Sequence, residues 1–390
     1  MPLLGRLAVT SAAAWAYLVA GHGDFWRASP RLPVQPPEPD RWPSVGVVIP
    51  ARDEATVLPD TIPTLLEQDY PGSLAVWLVD DESKDGTATL AGALAQRGAG
   101  RTSLTVLTAP SPPPGWTGKL NAVDYGVAAA DAARVDFLLL TDADIAHHRS
   151  SVRRLVATAM ADDRDVVSLM ALLRTQTRWE RTLIPAFVYF FAQLYPFPRV
   201  AQPGSWTAAA AGGCILLRRT ALQRAGGLSG IRGELIDDVA LGRLLKRSGA
   251  RTWLGFTSDP PEVRSIRPYP RVTDLWTMVA RTAYTQLRRS PMLLAGTITT
   301  LGLLYVVPPV AGLTGLARRA PVPAVAGLGA WAAMAITQAP VLRLYGLSPL
   351  RGVALPAVAT LYAAMTMDSA RRHATGRGGA WKGRFSPRSR

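Results

Sequence analysis

The chain has 390 residues, of which 43 are Lys or Arg and 28 are Asp or Glu, so its formal net charge is +15. Hydrophobic residues make up 48% of the chain and charged residues only 18%, which excludes an intrinsically disordered protein and favours association with a membrane. The single cysteine, Cys214, excludes an intramolecular disulfide framework. No zinc-ligand spacing and no nucleic-acid-binding motif accompany the positive charge, so we expect an anionic membrane surface rather than nucleic acid as its partner.

The N-terminal part of the chain predicts a membrane anchor followed by a linker. Residues 1–22 contain an apolar run near the lower length limit of a spanning helix. A cleaved signal peptide is the alternative. Residues 23–43 are rich in proline, which predicts an extended linker rather than a helix.

The C-terminal part of the chain is again apolar. Three stretches, residues 292–316, 323–342 and 353–367, predict transmembrane segments within residues 291–370. The third stretch is short and contains Pro356. Residues 371–390 form a basic tail with seven Lys or Arg and no acid. Three complete spans would place this basic tail on the side of the membrane opposite to residues 44–271, against the positive-inside rule. One of the three apolar stretches could therefore be re-entrant or interfacial.

The region between these ends, residues 44–271, alternates strand and helix patterns. Short apolar runs predict strands at residues 45–49, 75–79, 104–107 and 137–140. Helical patterns occupy residues 56–68, 87–95, 119–130 and 150–159. This alternation predicts an α/β domain with a doubly wound, mainly parallel sheet, in which ligands bind beyond the carboxyl ends of the strands. Residues 272–290, with Trp276 and several arginines, predict an amphipathic helix at the membrane interface.

Acidic residues follow three of the predicted strands. Asp53 follows the first, Asp80 and Asp81 follow the second, and Asp142 and Asp144 follow the fourth. Carboxylates at one edge of a sheet repel each other unless a cation or a hydrogen-bonding ligand compensates their charge. An Asp-x-Asp pair can chelate Mg²⁺ or Mn²⁺ together with phosphate oxygens. Each pattern alone is typical of a turn or a helix cap, but their repetition at successive strand ends favours a site.

Five segments carry a resemblance to the family 2 inverting glycosyltransferases, whose catalytic domain has the GT-A, Rossmann-like nucleotide-sugar fold. They are VVIPARDEA (47–55), LVDDESKDGT (78–87), GWTGKLNAV (115–123), LLTDAD (139–144) and ELIDDVALGRLLKRSG (234–249). Their order and spacing match the family over about residues 45–289. Within the family, the chain is similar to the hopene-associated glycosyltransferases through the Gly-Trp-Thr-Gly-Lys loop, the Ala-Gly-Gly-Cys stretch at 211–214 and the flanking anchors.

The resemblance implies a donor site and a metal site. Asp142 and Asp144 match the family's Asp-x-Asp motif, in which Asp144 binds the metal and Asp142 contacts ribose or metal. The cofactor would be Mg²⁺ or Mn²⁺. The residues implied in nucleotide binding are Pro50, Asp53, Asp80, Asp81, Lys119, Asp142, Arg288 and Arg289.

The resemblance also implies an acceptor site. Asp238 matches the catalytic base, which removes the proton of the attacking hydroxyl group, although an N-cap role is the alternative. Gly213, Cys214 and Asp237 lie in the implied acceptor region. In this chain Ser290 stands where the Gln-x-x-Arg-Trp motif of processive relatives has its Trp, which weakens the case for a polymerising enzyme.

The sequence therefore predicts a multi-pass enzyme of the inner (cytoplasmic) membrane whose catalytic domain faces the cytosol. The expected donor is a nucleotide-sugar, most simply a UDP-sugar, and the expected acceptor is a lipid hydroxyl of a hopanoid or another isoprenoid. The aromatic segment 181–200, interrupted by three prolines, predicts either a lip for this lipid or buried core. The alternatives are a pyrophosphorylase-like enzyme, a non-catalytic scaffold with a degenerate domain and, less favoured, a glycoside hydrolase.

Overall fold

The computed structural model describes residues 3–97, 102–376, 378, 380, 381, 384 and 385. The chain divides into two compact units. The helical unit comprises Met1–Ser29, Thr175–Pro196 and Tyr269–Ala380. The α/β unit comprises Pro30–Arg174, Phe197–Pro268 and Trp381–Arg390. Much of the predicted basic tail lies outside the described residues.

The strands and helices of the described residues are as follows. The strands are β1 (Val45–Ala51), β2 (Leu74–Asp80), β3 (Ser103–Thr108), β4 (Phe137–Leu140), β5 (Ile145–His147), β6 (Val166–Met170), β7 (Ile215–Arg218), β8 (Thr252–Phe256), β9 (Val263–Ser265), β10 (Ala380–Trp381) and β11 (Arg384–Phe385). The helices are α1 (Leu3–Gly21), α2 (Leu58–Leu66), α3 (Thr87–Arg97), α4 (Gly118–Ala132), α5 (Ser151–Ala161), α6 (Arg178–Leu194), α7 (Phe197–Val200), α8 (Arg219–Arg224), α9 (Asp237–Arg247), α10 (Val272–Gln286), α11 (Pro291–Leu301), α12 (Val307–Ala317), α13 (Pro321–Leu344) and α14 (Leu355–Ala374).

The α/β unit is built on a seven-stranded sheet with the order β3-β2-β1-β4-β7-β6-β8. The strands pair in parallel except β7, which is antiparallel to both β4 and β6. Every residue of β1 and β4 is buried, because apolar side chains pack on both faces of the sheet. The predicted α/β class and mainly parallel sheet are therefore confirmed. The antiparallel β7 was not predicted.

Part of the predicted linker belongs to the α/β unit. The Leu32 backbone N–H donates to the Phe256 carbonyl at 3.0 Å, and the Phe256 N–H donates to the Pro30 carbonyl at 2.8 Å. The Leu32 side chain is fully buried. This segment pairs with β8 because β8 is the edge strand and has backbone groups free to pair.

The helical unit contains the apolar helices. Among the described residues, four helices are long and apolar enough to cross a membrane: Leu3–Gly21, Pro291–Ala317, Pro321–Leu344 and Pro349–Ala374. The last is longer than the sequence pattern indicated. Pro356 does not interrupt it, because this proline lies in the first turn of α14, where a missing N–H costs no helical hydrogen bond.

The aromatic segment that follows β6 is helical. Thr177 and Glu180 form a capping box at the start of α6. The helix continues through Pro185 and ends at Leu194, and this part of the chain packs in the helical unit rather than in the α/β unit. The Phe190 ring contacts the rings of Tyr305 and Tyr362 in this unit. The sequence predicted either a lip for a lipid or buried core in this segment. The structure shows that α6 packs within the helical unit.

Candidate active site

The loops after β1 and β2 are joined by hydrogen bonds. Asp53 has a φ of 51°, a left-handed conformation in which Asp is more tolerated than most residues. Its Oδ1 accepts from the Lys84 backbone N–H at 2.7 Å, and its own N–H donates to Ser83 Oγ at 2.9 Å. Pro50 lies within β1, opposite Val79 of β2. The two loops therefore form one rim at the carboxyl end of the sheet.

Asp80 and Asp81 lie buried beneath this rim. The Arg52 guanidinium donates to the Asp81 carbonyl at 2.5 Å and lies 3.5 Å from Asp81 Oδ2. Asp80 Oδ2 accepts from the Ser83 N–H at 3.2 Å. Asp80 Oδ1 is buried and has no hydrogen-bond partner within the described part of the chain. A buried carboxylate oxygen of this kind is stabilised when a ligand supplies a donor.

The Gly-Trp-Thr-Gly-Lys loop leads into α4. Thr117 is the N-cap, and its Oγ1 accepts from the Leu120 N–H at 3.3 Å. Gly115 has a φ of 85°, which favours glycine at this turn. The Thr117 N–H donates to the Arg232 carbonyl at 2.9 Å, so this loop is joined to the segment that precedes α9. Lys119 thereby lies in the first turn of α4, facing the start of α9.

Four charged residues converge between α4, β4 and α9. Lys119 Nζ lies 2.8 Å from Asp142 Oδ1 and 3.1 Å from Asp237 Oδ2. Asp238, the predicted base, accepts from the Gly212 N–H at 3.0 Å and from the Val239 N–H at 2.7 Å. Lys119 and the three aspartates line one small cavity of about 30 Å³. We call Lys119, Asp142, Asp237 and Asp238 the charged cluster.

Burial and neighbouring charges shift the pKa values of Asp238, Asp142 and Lys119. Burial, and next the charge of Asp237, raises the pKa of Asp238 to about 6, with Lys119 opposing. Burial also raises the pKa of Asp142. Burial alone would lower the pKa of Lys119, but Asp142 and Asp237 more than reverse this, and its pKa is raised. At neutral pH the cluster therefore holds an ammonium ion beside a carboxylate suited to accept a proton.

Asp144 does not join the charged cluster. Its Oδ2 accepts from Ser265 Oγ at 2.6 Å and lies 3.3 Å from Arg267 Nε. Arg267 also donates to Glu54 Oε1 at 2.8 Å. The two carboxylates of the Asp-x-Asp motif thus face different cations. Ser265 and Arg267 were missed in the sequence because they belong to no motif: Ser265 ends the short strand β9, and Arg267 lies just beyond it.

The carboxylates of the site can bind a divalent cation only when a ligand supplies further oxygens to complete its coordination. Across the described ranges, no group of three or more His, Cys, Asp or Glu side chains is arranged to hold a metal ion. However, oxygens of Asp142 and Asp237 already converge on one cation, the Lys119 ammonium. Mg²⁺ is usually bound by one or two carboxylates together with substrate phosphates. The donor set therefore fits such an ion when a diphosphate completes it.

The remaining predicted site residues are Gly213, Cys214, Arg288 and Arg289. The Cys214 side chain is fully buried in the core, and burial raises the pKa of its thiol. The Gly213 carbonyl accepts from Thr141 Oγ1 at 2.8 Å, behind the charged cluster. Arg288 and Arg289 belong to the helical unit, between α10 and α11, and have positive φ angles of 52° and 55°.

Comparisons with known proteins identify a family and several partial relatives. A family model described as "Glycosyltransferase like family 2" matches residues 43–287. The chain is 26% identical over 192 residues to the probable glycosyltransferase YdaM of Bacillus subtilis (strain 168), a match that covers 47% of this chain and 43% of that protein. It is 44% identical over 54 residues to an N-acetylglucosaminyltransferase of Mesorhizobium japonicum, covering 14% and 13%. The chain thus spans less than half the length of these curated relatives.

One solved structure shows the fold. The mannosyltransferase PcManGT from Pyrobaculum calidifontis, in complex with GDP-Man and Mn²⁺, superposes with a TM-score of 0.56 and 21% identity. The superposition covers 96% of this chain and 100% of that chain. The mixed, mainly parallel sheet of the α/β unit therefore matches a GT-A fold.

Proposed function

The chain belongs to the glycosyltransferase-like family 2, and from this we propose that it transfers a sugar from a nucleoside diphosphate to a hydroxyl group, with inversion at the anomeric carbon. The observation that carries the proposal is the charged cluster, which gathers a carboxylate base and a phosphate-binding cation at the carboxyl end of the sheet. The acceptor oxygen bonds to the anomeric carbon, and the bond from this carbon to the diphosphate breaks. Asp238 takes the hydroxyl proton.

Asp238 is oriented for this role by its backbone partners. Its two carboxylate oxygens accept from the Gly212 and Val239 N–H groups, which fixes the carboxyl group at the start of α9. The raised pKa of Asp238, about 6, makes it a stronger base than an exposed aspartate.

The rim formed by the loops after β1 and β2 is the proposed nucleoside site. The buried Oδ1 of Asp80, which has no partner among the described residues, is suited to accept from an N–H of a nucleobase, and Asp81 lies beside it. We retain UDP as the expected nucleotide, with Asp53 shaping the ribose end of the rim. The arginines at 288 and 289 stay proposed diphosphate contacts by resemblance alone.

The proposed cofactor is Mg²⁺ or Mn²⁺, held by Asp142 with Asp237 or Asp144. When bound, this ion would act as a Lewis acid that neutralises the charge growing on the leaving diphosphate. The Mn²⁺ and GDP-Man in PcManGT support a divalent ion and a nucleotide-sugar donor here. Asp144 would bind the ion only after release from Ser265 and Arg267.

A membrane lipid is the proposed acceptor. Helices long and apolar enough to cross a membrane occur at both ends of the chain, so the enzyme would work at a lipid surface. We propose the inner membrane, with the catalytic region on the cytosolic side, where nucleotide-sugars are made. The resemblance to the hopene-associated subgroup favours a hopanoid or another isoprenoid with a free hydroxyl group.

The base assignment is tested with Asp238→Asn. An amide can still accept the Gly212 N–H, but it cannot take a proton, so transfer should fall by about 10²–10⁴-fold while UDP binding persists. The assay follows sugar transfer from a UDP-sugar to a lipid extract, and UDP binding is measured separately by thermal shift. Asp60→Asn, on the exposed side of α2, is the matched control and should retain transfer. Full activity in Asp238→Asn would contradict the assignment.

A further inference from the structure

Lys119 occupies the position at which two carboxylates of the charged cluster meet. Its ammonium lies within hydrogen-bond distance of Asp142 Oδ1 and Asp237 Oδ2. The three side chains are 24%, 34% and 22% exposed, so solvent and small ions reach them. A point shared by two carboxylate oxygens is also where a hard divalent cation binds. An ammonium ion and a divalent ion cannot hold these two oxygens at the same time.

The Lys119 side chain lines the same cavity as the two carboxylates and occupies the point between them. A hydrated divalent ion and the diphosphate of a donor therefore need the space that the Lys119 side chain fills. Lysine suits such a movement because its charge is carried on a flexible four-carbon stem and is not tied to one planar geometry.

The balance of charge in the cavity favours movement of the Lys119 side chain only when a donor binds. Without Lys119, three aspartates would face each other across the cavity with no compensating charge. A divalent ion alone must displace the ammonium and leave it without its partners. A divalent ion that brings a diphosphate offers Lys119 a new anionic partner at the same edge of the sheet.

We propose that Lys119 is an internal competitor for the cation position, a role that rests on the proposed function. In the donor-free protein it holds Asp142 and Asp237 and keeps metal affinity low. When the metal and the nucleoside diphosphate bind together, Lys119 releases these carboxylates and pairs with the diphosphate. Metal and nucleotide binding are thereby coupled through one side chain, and each strengthens the other.

The test measures Mn²⁺ binding to the purified full chain in detergent, by the loss of the free Mn²⁺ electron paramagnetic resonance signal. Without nucleotide, Lys119→Met should bind Mn²⁺ at least about tenfold more tightly than wild type, because the competitor is gone. UDP should tighten Mn²⁺ binding to wild type by a larger factor than binding to Lys119→Met, because in the variant only the phosphate ligands are added, whereas in wild type the competing ammonium is also released. UDP binding itself should weaken in Lys119→Met. A role in stability alone would not move these two affinities in opposite directions.

Two controls sharpen the test. Lys119→Arg keeps the charge and should leave nucleotide-free Mn²⁺ affinity within about twofold of wild type. Arg153 also pairs with two carboxylates, Glu38 and Asp69, outside the cluster, so Arg153→Met should not change Mn²⁺ binding. If Lys119→Met is not recovered folded, Lys119→Gln replaces it.

The outcomes separate this inference from the proposed function. If wild type binds Mn²⁺ in the presence of UDP, but Lys119→Met shows equal or weaker nucleotide-free affinity, the competitor role is wrong and the donor site stands. If wild type binds neither Mn²⁺ nor any nucleoside diphosphate, the proposed donor site fails and the competitor role fails with it.

Discussion

His147 shows how burial sets the charge state of one residue near the site. Its Nε2 lies 3.0 Å from Thr141 Oγ1 and its Nδ1 lies 3.2 Å from Ser151 Oγ. Burial lowers the pKa of His147 to about 3. The imidazole therefore stays neutral in the folded protein at any pH where the enzyme would work, and it links β5 to the start of α5.

This burial predicts an acid-sensitive stability. Below about pH 6.5 His147 binds a proton in the unfolded chain but not in the folded one, so stability falls as the pH drops, by about 1.4 kcal/mol per unit until the folded pKa is reached. Between pH 7.5 and pH 5 the loss should be about 2 kcal/mol, read as a lower thermal midpoint. The His147→Gln variant should lose less stability than wild type over the same pH range.

The control for this prediction is the neighbouring histidine. His148 is exposed and contacts Ser150, so His148→Gln makes the same substitution next to the buried site and serves as the matched control. If His147→Gln lost as much stability as wild type between the two pH values, the buried imidazole would not be the cause.

At the scale of elements, the approach of α9 to its neighbour determines where the base lies. A Cβ added to Gly242 would lie 2.6 Å from the Ala209 carbonyl carbon and 2.8 Å from the Ala210 nitrogen. Both are backbone atoms and cannot rotate away. Only glycine therefore lets α9 pack this closely on the segment that leads to Gly212, the residue that donates to Asp238.

Gly242→Ala should move α9 and weaken the Asp238–Gly212 hydrogen bond. We expect transfer to fall at least about tenfold together with a lower thermal midpoint, since small displacements of a catalytic group are costly. Gly92→Ala in α3 is the matched control, because its added Cβ meets no atom within 4 Å among the described residues. It should raise stability by about 0.5–1 kcal/mol and leave transfer unchanged. Equal activity in the two variants would contradict the account of α9.

The elements that the sequence predicts well are those with local causes. β1 and β4 follow from continuous apolar runs, and α4 follows from its Gly-rich turn and Thr117 cap. The pairing of Asp144 with Arg267 joins residues far apart in the chain, so no local pattern encodes it. The continuation of α6 through Pro185 depends on packing in the helical unit, which local helix propensity does not include.

The site residues divide in the same way into those that local sequence patterns predict and those that depend on contacts between distant parts of the chain. The carboxylates at the strand ends were predicted because they immediately follow recognisable strands. The convergence of Asp142 and Asp237 on Lys119 was not predicted, because it depends on how α4, β4 and α9 come together in space. For the same reason the sequence did not predict that Asp142 faces Lys119 whereas Asp144 pairs with Arg267.

At the scale of the whole molecule, the contacts of the helical unit indicate on which side of this unit α14 ends. Gly312 of α12 contacts Gly327 of α13, and Gly315 contacts Ala324, so these helices form an antiparallel pair. The end of α13 therefore returns to the side where α11 begins.

The end of α14 lies on that same side. Trp276 Nε1 of α10 donates to Asp368 Oδ2 at 2.9 Å, and the Tyr284 N–H donates to Ser369 Oγ at 3.0 Å. Because α10 leads directly into α11, α14 ends beside the beginning of α11. We therefore expect the chain from the end of α13 to the end of α14 to be a re-entrant segment, with both of its ends on one side of the membrane.

Labelling with a membrane-impermeant thiol reagent tests this topology. In intact cells or oriented vesicles, Thr375→Cys should react from the same side as Arg271→Cys, and Arg319→Cys, between α12 and α13, from the opposite side. The native Cys214 is fully buried and provides the background. Reaction of Thr375→Cys from the Arg319→Cys side would show that the last helix crosses completely.

The most direct test of the account is a nucleotide titration of the purified full chain in detergent. UDP, GDP and CDP are each added with and without Mn²⁺, and the thermal midpoint is followed. A ligand that binds only the folded state stabilises it by about 2.7 kcal/mol at 100 times its dissociation constant. We predict a rise in the midpoint with one nucleoside diphosphate, UDP in the first place, that depends on Mn²⁺. No rise with any of the three nucleotides would contradict the donor site on which the proposed glycosyl transfer depends.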